Sequence, residues 1–229
     1  MLVAHAKSAD SSFAKGLPGA EHPCMAYLDI PSFAPLVDAL QRGIRGRNAD
    51  DTRIALGDGR SVVVAPVRPR DSEAERAFIG GLSLASRYRR FHFGLRELSP
   101  EASRAMTEVD QHHHVAFVAR PDSKDADAPI VADARYVLRA DSGDAEFAIA
   151  VADDWQGAGL GRSLLRMLAQ HARAHGVDRL TGDVLWGNQA MLALVRSLGA
   201  SLMRKPGDST VIRVVLTLEG ARNRTGESD

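Results

Sequence analysis

The sequence predicts an α/β protein in which a mixed sheet carries helices. Short segments rich in β-branched residues, bounded by glycine, proline and aspartate, are typical of strands, and they alternate with longer segments that have a helical apolar stripe. The chain has 229 residues, the length of one domain, and its 45% hydrophobic residues are enough to form a core. The expected element order is ββ-α-α-β-β-β-α-β-α-β.

Turn and capping signals predict the first elements. Gly57-Asp58-Gly59 separates two strand-like segments, Arg53–Leu56 and Ser61–Val67, and so predicts a β-hairpin. A helix begins at Asp71, with acidic residues in its first turn, where the helix dipole favours them. It runs towards Tyr88, with either a break or close packing at Gly80-Gly81.

The middle of the chain continues with one helix and three strands. The helix begins at Ser99-Pro100, since proline suits the first helical position, and ends near Asp110. The strands are expected at His114–Ala119, Ile130–Arg139 and Glu146–Ala152.

The last third contains the longest predicted helix, Gly159–His175, whose leucines form one apolar stripe. Arg179–Leu185 then predicts a strand and Gln189–Leu198 a helix. Thr210–Leu218 predicts a final alternating strand.

Residues 1–50 differ from the rest, because they are rich in proline, glycine and alanine and lack a sustained period. One segment that begins at Ser32 has helical spacing of apolar residues. We expect an N-terminal extension here, either loosely docked or acting as a lid or oligomer arm. Residues 51–218 are expected to form the domain and residues 219–229 a disordered tail.

Composition disfavours several classes of partner. The 29 basic and 29 acidic residues cancel, which argues against DNA binding or a broad anionic-membrane surface. The longest apolar segments are far shorter than the ~20 residues that span a bilayer, and the N-terminus lacks a secretory pattern. The single cysteine, Cys24, fits a reducing compartment, so we expect a cytoplasmic protein. The oligomeric state and the acyl-chain preference are not specified.

The turn between the strand at Glu146–Ala152 and the helix at Gly159–His175 is the most informative segment. It reads Gln156-Gly-Ala-Gly-Leu-Gly-Arg-Ser163, and the N-terminus of a helix offers unpaired N–H groups to a phosphate. A Walker A loop would require a lysine, which is absent, and a dinucleotide fingerprint would require glycine where Arg162 stands. A packing corner between helix and sheet remains the structural alternative.

Gln156-x-x-Gly159-x-Gly161 resembles the acetyl-CoA signature of the GNAT N-acetyltransferases, in the place where that family has it. The resemblance covers residues 60–218 and includes Asn188, which is similar to the second motif of the family. Three stretches resemble the branch that contains the bacterial protein lysine acetyltransferases: Ser86–Phe91, Val109–Phe117, and Ala145–Ala148 with Val151–Gln156. The resemblance implies the GNAT fold, with a mixed, mostly antiparallel central sheet flanked by about four helices.

This resemblance implies an acetyltransferase that moves an acetyl group from acetyl-CoA to a primary amine in a ternary complex, with a protein lysine as the favoured acceptor. A small-molecule amine and a non-catalytic acyl-CoA-binding regulatory module are the alternatives. On this interpretation the backbone of Val151 and Ala152 contacts the pantetheine arm. The residues expected at the pyrophosphate are Gln156, Gly157, Ala158, Gly159, Leu160 and Gly161, with Arg162 and Ser163 nearby. Asn188 either orients the amide arm or simply caps a helix.

Glu146 is the candidate general base. On a strand it shares a face with Ala148, Ala150 and Ala152, which leaves room for a slender ligand. A lysine with a pKa of about 10.4 is neutral in roughly one molecule in a few thousand near pH 7, so a carboxylate that accepts its proton assists attack. Some members of the family carry a catalytic glutamate on this strand. The alternative is a strand-end glutamate that faces water or pairs with an arginine.

Two departures from the family pattern concern the proton donor. Many members have a tyrosine seven residues after the Asn188 equivalent, where this chain has Val195, and Gly199 is followed by Ala200 instead of an aromatic residue. The general acid is therefore not identified. No metal is expected, because adjacent histidines at His112–His114 alternate between faces of a strand.

Overall fold

The structure is a computed structural model that describes residues 51–125, 127–140 and 142–218. The extension predicted for residues 1–50, with its periodic segment beginning at Ser32, and the tail predicted for residues 219–229 lie outside the described residues.

An eight-stranded sheet forms the centre of the described residues, in the order β1-β2-β3-β4-β5-β6-β8-β7. The strands are β1 (Thr52–Ala55), β2 (Ser61–Pro66), β3 (His114–Pro121), β4 (Ala132–Leu138), β5 (Asp144–Val151), β6 (Arg179–Leu185), β7 (Ser201–Lys205) and β8 (Asp208–Thr217). The helices are α1 (Ser72–Gly81), α2 (Leu84–Phe91), α3 (Pro100–Thr107), α4 (Leu160–Ala174) and α5 (Gln189–Arg196). Neighbouring strands are antiparallel except for the parallel pair β5 and β6, so the predicted mixed, mostly antiparallel sheet is confirmed.

The helices lie in two layers because successive residues of each strand point to opposite faces. Helices α1, α2 and α3 cover one face, where Phe78, Phe91 and Met106 pack with Ala116 and Ala150. On the other face α4 and α5 bury their apolar stripes against the sheet. The side chains buried there include Leu165, Leu168, Leu192, Val195, Phe147 and Leu180.

The structure differs from the predicted order at two places. The segment expected as one broken helix is two helices, α1 and α2, which Leu82 and Ser83 separate. Strand β7 was not predicted, because the apolar and polar residues of Ser201–Lys205 do not alternate. It pairs with β8 through a turn in which Gly207 has a φ of 82°.

The prediction that the last strand alternates was wrong. Residues Val211–Leu216 of β8 are all buried, on both faces of the strand. They include the charged Arg213, which is paired with Asp183 at 2.6 Å.

Candidate active site

The candidate site is a cleft that opens where two parallel strands separate. Strands β5 and β6 pair only from Asp144 to Glu146 and from Arg179 to Thr181, although both continue beyond these residues. Just beyond the last pair, the ring of Phe147 lies against Gly182, and a Cβ at residue 182 would stand 3.0 Å from its Cε1 atom. The divergence leaves a cleft of about 470 Å³.

The structure brings eight of the twelve predicted site residues to this cleft: Glu146, Val151, Gln156, Gly157, Gly159, Gly161, Arg162 and Asn188. The other four are Ala152, Ala158, Leu160 and Ser163, which lie next to it in the chain. Leu160 is buried in the core between α4 and the sheet, so only its backbone can face a ligand.

Two glycines shape the turn before α4. Gly157 has a φ of 80° and Gly159 a φ of 93°, a region that other residues adopt only with strain. Open space surrounds both Cβ positions, so glycine is required for the backbone conformation and not for lack of room. The helix begins after Gly159, whose carbonyl accepts the Ser163 N–H at 3.1 Å. The N–H groups of the residues before Ser163 therefore lie at the free N-terminus of α4.

The first hairpin holds this turn in place. The Gly57 N–H donates to the Ala158 carbonyl at 3.1 Å, and the Arg60 guanidinium donates to the Asp154 carbonyl at 3.1 Å. The same guanidinium lies 4.1 Å from the centre of the Trp155 ring. The turn is thus fixed by contacts within the chain.

A second set of hydrogen bonds joins the turn to α2. The Gln156 side-chain nitrogen donates to the Val151 carbonyl at 3.0 Å and to the Ser86 hydroxyl at 3.3 Å. Ser86 donates in turn to the Asp153 carboxylate at 2.7 Å, which also accepts the Ser83 N–H at 2.9 Å. Burial opposes the charge of Asp153, but these hydrogen bonds outweigh it and lower the pKa of Asp153. The N-terminus of α2 is therefore fastened to the glycine turn.

The backbone of β5 faces the cleft at alternate residues. The Ala152 N–H donates to the Val131 carbonyl at 2.9 Å, and the register places the even-numbered residues of β5 in hydrogen-bonded pairs with β4. The N–H and C=O groups of Ile149 and the N–H group of Val151 consequently point towards the opening, while the Val151 carbonyl accepts the Gln156 side chain. The Ala152 carbonyl accepts the Trp155 N–H at 2.8 Å, so both backbone groups of Ala152 are used within the fold. Of the two residues expected at a pantetheine arm, only Val151 presents its backbone to the cleft.

Glu146 lies half-buried in the wall of the cleft, at the end where β5 and β6 are still paired. It shares its face with Ala148 and Ala150, as the alternation predicted. Helix α2 brings Arg90 to the same wall, and Glu146 is among the charges that favour the ionised guanidinium. The carboxylate is thus both exposed to the cleft and close to a cation.

Asn188 caps α5, since its side-chain oxygen accepts the Met191 N–H at 3.2 Å, and it also lines the cleft. Both functions considered for Asn188 are therefore compatible with its position.

Comparison with known proteins assigns the family. An acetyltransferase of Pseudomonas aeruginosa is 37% identical over 158 residues, which cover 69% of this chain and 84% of that protein. Residues 96–200 match the Acetyltransferase (GNAT) family. The chain belongs to the GNAT acetyltransferase family.

Relatives named Pat support the branch resemblance. Acetyltransferase Pat of Mycolicibacterium smegmatis is 34% identical over 155 residues, which cover 66% of this chain and 45% of that protein. The chain thus spans about half the length of this relative. The crystal structure of the GNAT domain of S. lividans PAT superposes with a TM-score of 0.66 at 26% identity, and it covers 73% of this chain and 97% of that domain. The predicted GNAT fold is confirmed.

Val195 marks the main departure from the GNAT pattern. It is 1% exposed and packs in the core formed by α4, α5 and the sheet. A valine has no proton to give, so the position of the usual tyrosine supplies no general acid here.

The structure adds residues of α2 and β6 to the site. Cleft-lining residues that were not proposed as site residues include Ser86, Arg89, Arg90, His92 and Asp183. Asp183 is held by Arg213 at 2.6 Å and by Lys205 at 3.2 Å. His92 ends α2 with a φ of 62°, and burial lowers its pKa. Ser83, whose side chain accepts the Ser86 N–H, was the available signal for a helix start at this point, because serine is a preferred N-cap residue.

The part of the chain that the structure describes holds no group of three or more His, Cys, Asp or Glu side chains able to bind a metal ion. Within those same residues, no helix is both long enough and apolar enough to cross a membrane.

Proposed function

We propose that this protein transfers an acetyl group from acetyl-CoA to the amine of a protein lysine, by direct attack in a ternary complex. One observation carries the proposal. The exposed edge of β5 connects a helix N-terminus suited to phosphate at one end with the Glu146 carboxylate at the other. When acetyl-CoA is extended along this edge, its phosphates lie at the turn and its thioester lies close to Glu146, the proton acceptor.

The turn is suited to the pyrophosphate. The N–H groups of residues 157–161 surround the N-terminus of α4, where the helix dipole favours an anion, whereas the Gln156 N–H donates to the Asp153 carbonyl at 3.4 Å. The backbone groups of Ala158 and Leu160 take part although their side chains pack in the core. Arg162 follows within the first turn of α4 and adds a positive charge, and Ser163 adds a hydroxyl.

The pantetheine arm pairs with β5 like an added strand. Ile149 presents its N–H and C=O groups and Val151 its N–H group to the cleft, at the spacing of such a pairing. Asn188 lies on the other side of the opening; its oxygen caps α5, and its amide nitrogen donates to the arm.

Acetyl-CoA supplies the thioester carbonyl, at which the new C–N bond forms as the C–S bond breaks and CoA leaves as the thiol. Glu146 accepts the proton that the lysine ammonium must lose before attack, a step that costs about 4–5 kcal/mol near pH 7 for an unperturbed amine. The cleft side of β5 carries alanines beside Glu146, which leaves space for a lysine side chain. Because Val195 replaces the usual tyrosine, we assign protonation of the thiolate to solvent.

A non-catalytic acyl-CoA-binding module is the second candidate, and the buried Val195 favours it. Incubation of the purified protein with labelled acetyl-CoA and bacterial lysate tests both. Label on protein lysines supports the proposal, and label confined to small metabolites points to a small-molecule acceptor. Binding of acetyl-CoA in calorimetry without thiol release in the presence of an amine panel identifies the binding module.

We assign this activity to a domain that comprises residues 51–218, and we place it in the cytoplasm. The single cysteine supports the location, because proteins of oxidising compartments commonly pair their cysteines.

A further inference from the structure

The cations in and beside the cleft are mainly arginines: Arg89, Arg90, Arg162 and Arg213. A guanidinium stays protonated and does not attack a thioester, whereas the neutral amine of a lysine is a nucleophile. Lys205 is the exception in this group, because its amine contacts a side chain that lines the cleft. The protein therefore holds one of its own amines next to the place where we expect acetyl transfer.

Lysine is rare in this chain, which contains Lys7, Lys15, Lys124 and Lys205. The first two lie outside the described residues. Lys124 is exposed in the segment between β3 and β4 and does not line the cleft. Lys205 is the last residue of β7. The two described lysines thus differ in their distance from the cleft, and each can be followed separately.

The register of the sheet places the partner of Lys205 on the same face as Glu146. Glu146 pairs with Thr181, so Asp183, two residues further along β6, points to that face as well. Asp183 stands opposite Arg213 on β8, and β8 lies between β6 and β7. A side chain from β7 must therefore cross β8, about 10 Å between the backbones, to reach Asp183.

Lys205 makes this crossing. Its Nζ donates to Oδ2 of Asp183 at 3.2 Å, and its side chain is 24% exposed. Asp183 also binds Arg213 at 2.6 Å, so this carboxylate keeps a partner when the lysine moves away. Burial lowers the pKa of His92, and the charge of Lys205 lowers it further. The amine of Lys205 is thus close to two cleft-lining residues, one on β6 and one at the end of α2.

The Lys205 amine has both the freedom and the room to turn from Asp183 into the cleft. An ion pair that is partly open to solvent is weak, and the lysine stem rotates about several single bonds. On the facing strand β5, Glu146 is followed on its own face by Ala148 and Ala150, which leave space in the cleft. Rotation of the side chain alone therefore suffices, without a change in the sheet.

Resting on the proposed function, we propose that Lys205 is a site of self-acetylation, at which its amine attacks the thioester of acetyl-CoA bound to the same chain. The ammonium first gives a proton to the Glu146 carboxylate. The new N–C bond then forms as the C–S bond breaks, and CoA leaves as a thiolate that solvent protonates. Because the amine belongs to the same chain, its proximity takes the place of acceptor binding.

Acetylation changes the charge at this end of the cleft. An acetylated lysine is neutral, so the modification removes one of the two cations that bind Asp183. The Arg213 contact remains, and the acetyl group occupies the place of the ammonium.

The test follows acetylation at each lysine of the purified wild-type protein by peptide mass spectrometry, at saturating acetyl-CoA. We expect Lys205 to react at least tenfold faster than Lys124, which reports the uncatalysed reaction. Tenfold dilution of the protein should leave the rate constant at Lys205 unchanged, because the amine and the thioester are held by one chain. Excess CoA, added as a competitor, should slow Lys205 at least fivefold and leave Lys124 unaffected.

Two variants provide the matched comparison. Lys205→Arg keeps a cation beside Asp183 but removes the amine, and Lys124→Arg makes the same change away from the cleft. Incorporation of labelled acetyl groups into the protein itself should fall at least threefold in Lys205→Arg and stay within about a fifth of the wild-type value in Lys124→Arg.

Three results would overturn the proposal: equal rates at Lys205 and Lys124, a rate constant at Lys205 that rises with protein concentration, and acetylation of Lys205 that excess CoA does not slow. If proteins of a lysate are acetylated while Lys205 is not, the proposed function stands and self-acetylation is refuted. A protein that acetylates Lys205 but no lysate protein shows the reverse, since the cleft then transfers acetyl groups without the proposed acceptor.

Discussion

The ring of Phe147 occupies the space that a side chain at Gly182 would need, at the point where β5 and β6 separate. Phe147 is 4% exposed and belongs to the core beneath α4 and α5, so it cannot move aside cheaply. The opening of the cleft therefore depends on a large residue on one strand and the absence of a side chain on the other.

Gly182→Ala is expected to reduce the free energy of unfolding by about 1–3 kcal/mol, because the added methyl group overpacks the contact with Phe147. Urea unfolding measures this change. Gly187→Ala is the matched control, since a Cβ there meets nothing within 4 Å. Equal destabilisation by both substitutions would contradict the conclusion that Phe147 occupies the space of a side chain at residue 182.

Gly159→Ala is expected to strain the turn by about 1–2 kcal/mol and to weaken acetyl-CoA binding at least tenfold, because residue 159 has a φ of 93°. Calorimetry and thermal unfolding measure the two effects. Gly176→Ala introduces similar strain at a φ of 78° beyond the C-terminus of α4, and it should leave acetyl-CoA affinity unchanged. If both variants lose affinity alike, the turn has no special part in binding.

Glu146→Gln is expected to lower turnover at least tenfold and to leave acetyl-CoA affinity nearly intact, since the amide keeps the shape of the side chain but accepts no proton. Steady-state kinetics and calorimetry provide the comparison. Glu101→Gln, on the exposed face of α3, serves as the control. Parallel loss of turnover and affinity would indicate a structural role for Glu146.

Glu75 is expected to make stability depend on pH. Burial raises its pKa in the folded protein to about 8, above the ordinary value of 4.5, so the protonated form is favoured on folding. Its contribution is fully present below about pH 4.5 and is lost as the pH rises towards 8. Urea unfolding between pH 5 and 8.5 should show stability falling with pH, and Glu75→Gln should remove this part of the slope. An identical slope in the variant would mean that Glu75 is ionised in the folded protein at neutral pH.

Local signals account for what the sequence predicted well. The strand β5, the glycine turn and α4 follow each other along the chain, so their pattern and spacing were sufficient to place Glu146 and Gln156 at one cleft. Strand β7 was missed because Ser201–Lys205 carries no alternation and forms only through its pairing with β8. Tertiary pairing overrides local preference in such strands.

The rest of the site depends on contacts between distant residues. Arg90 and Asp133 are neighbours only because α2 packs over β4. The local sequence around either residue does not predict this contact. The position of Ala152 shows a similar effect, since the direction of its N–H group follows from pairing with Val131. Register determines which edge a backbone group faces, and a single strand sequence does not contain the register.

The support that the first hairpin gives to the glycine turn has a consequence for how the molecule acquires its activity. Arg60 and Asp154 are 94 residues apart in sequence, yet their contact secures the loop that precedes α4. The glycine turn therefore reaches its ligand-binding conformation only after β1 and β2 have joined the sheet. A chain shortened to begin beyond β2 would keep every residue of the glycine signature while the scaffold that orients those amides was gone.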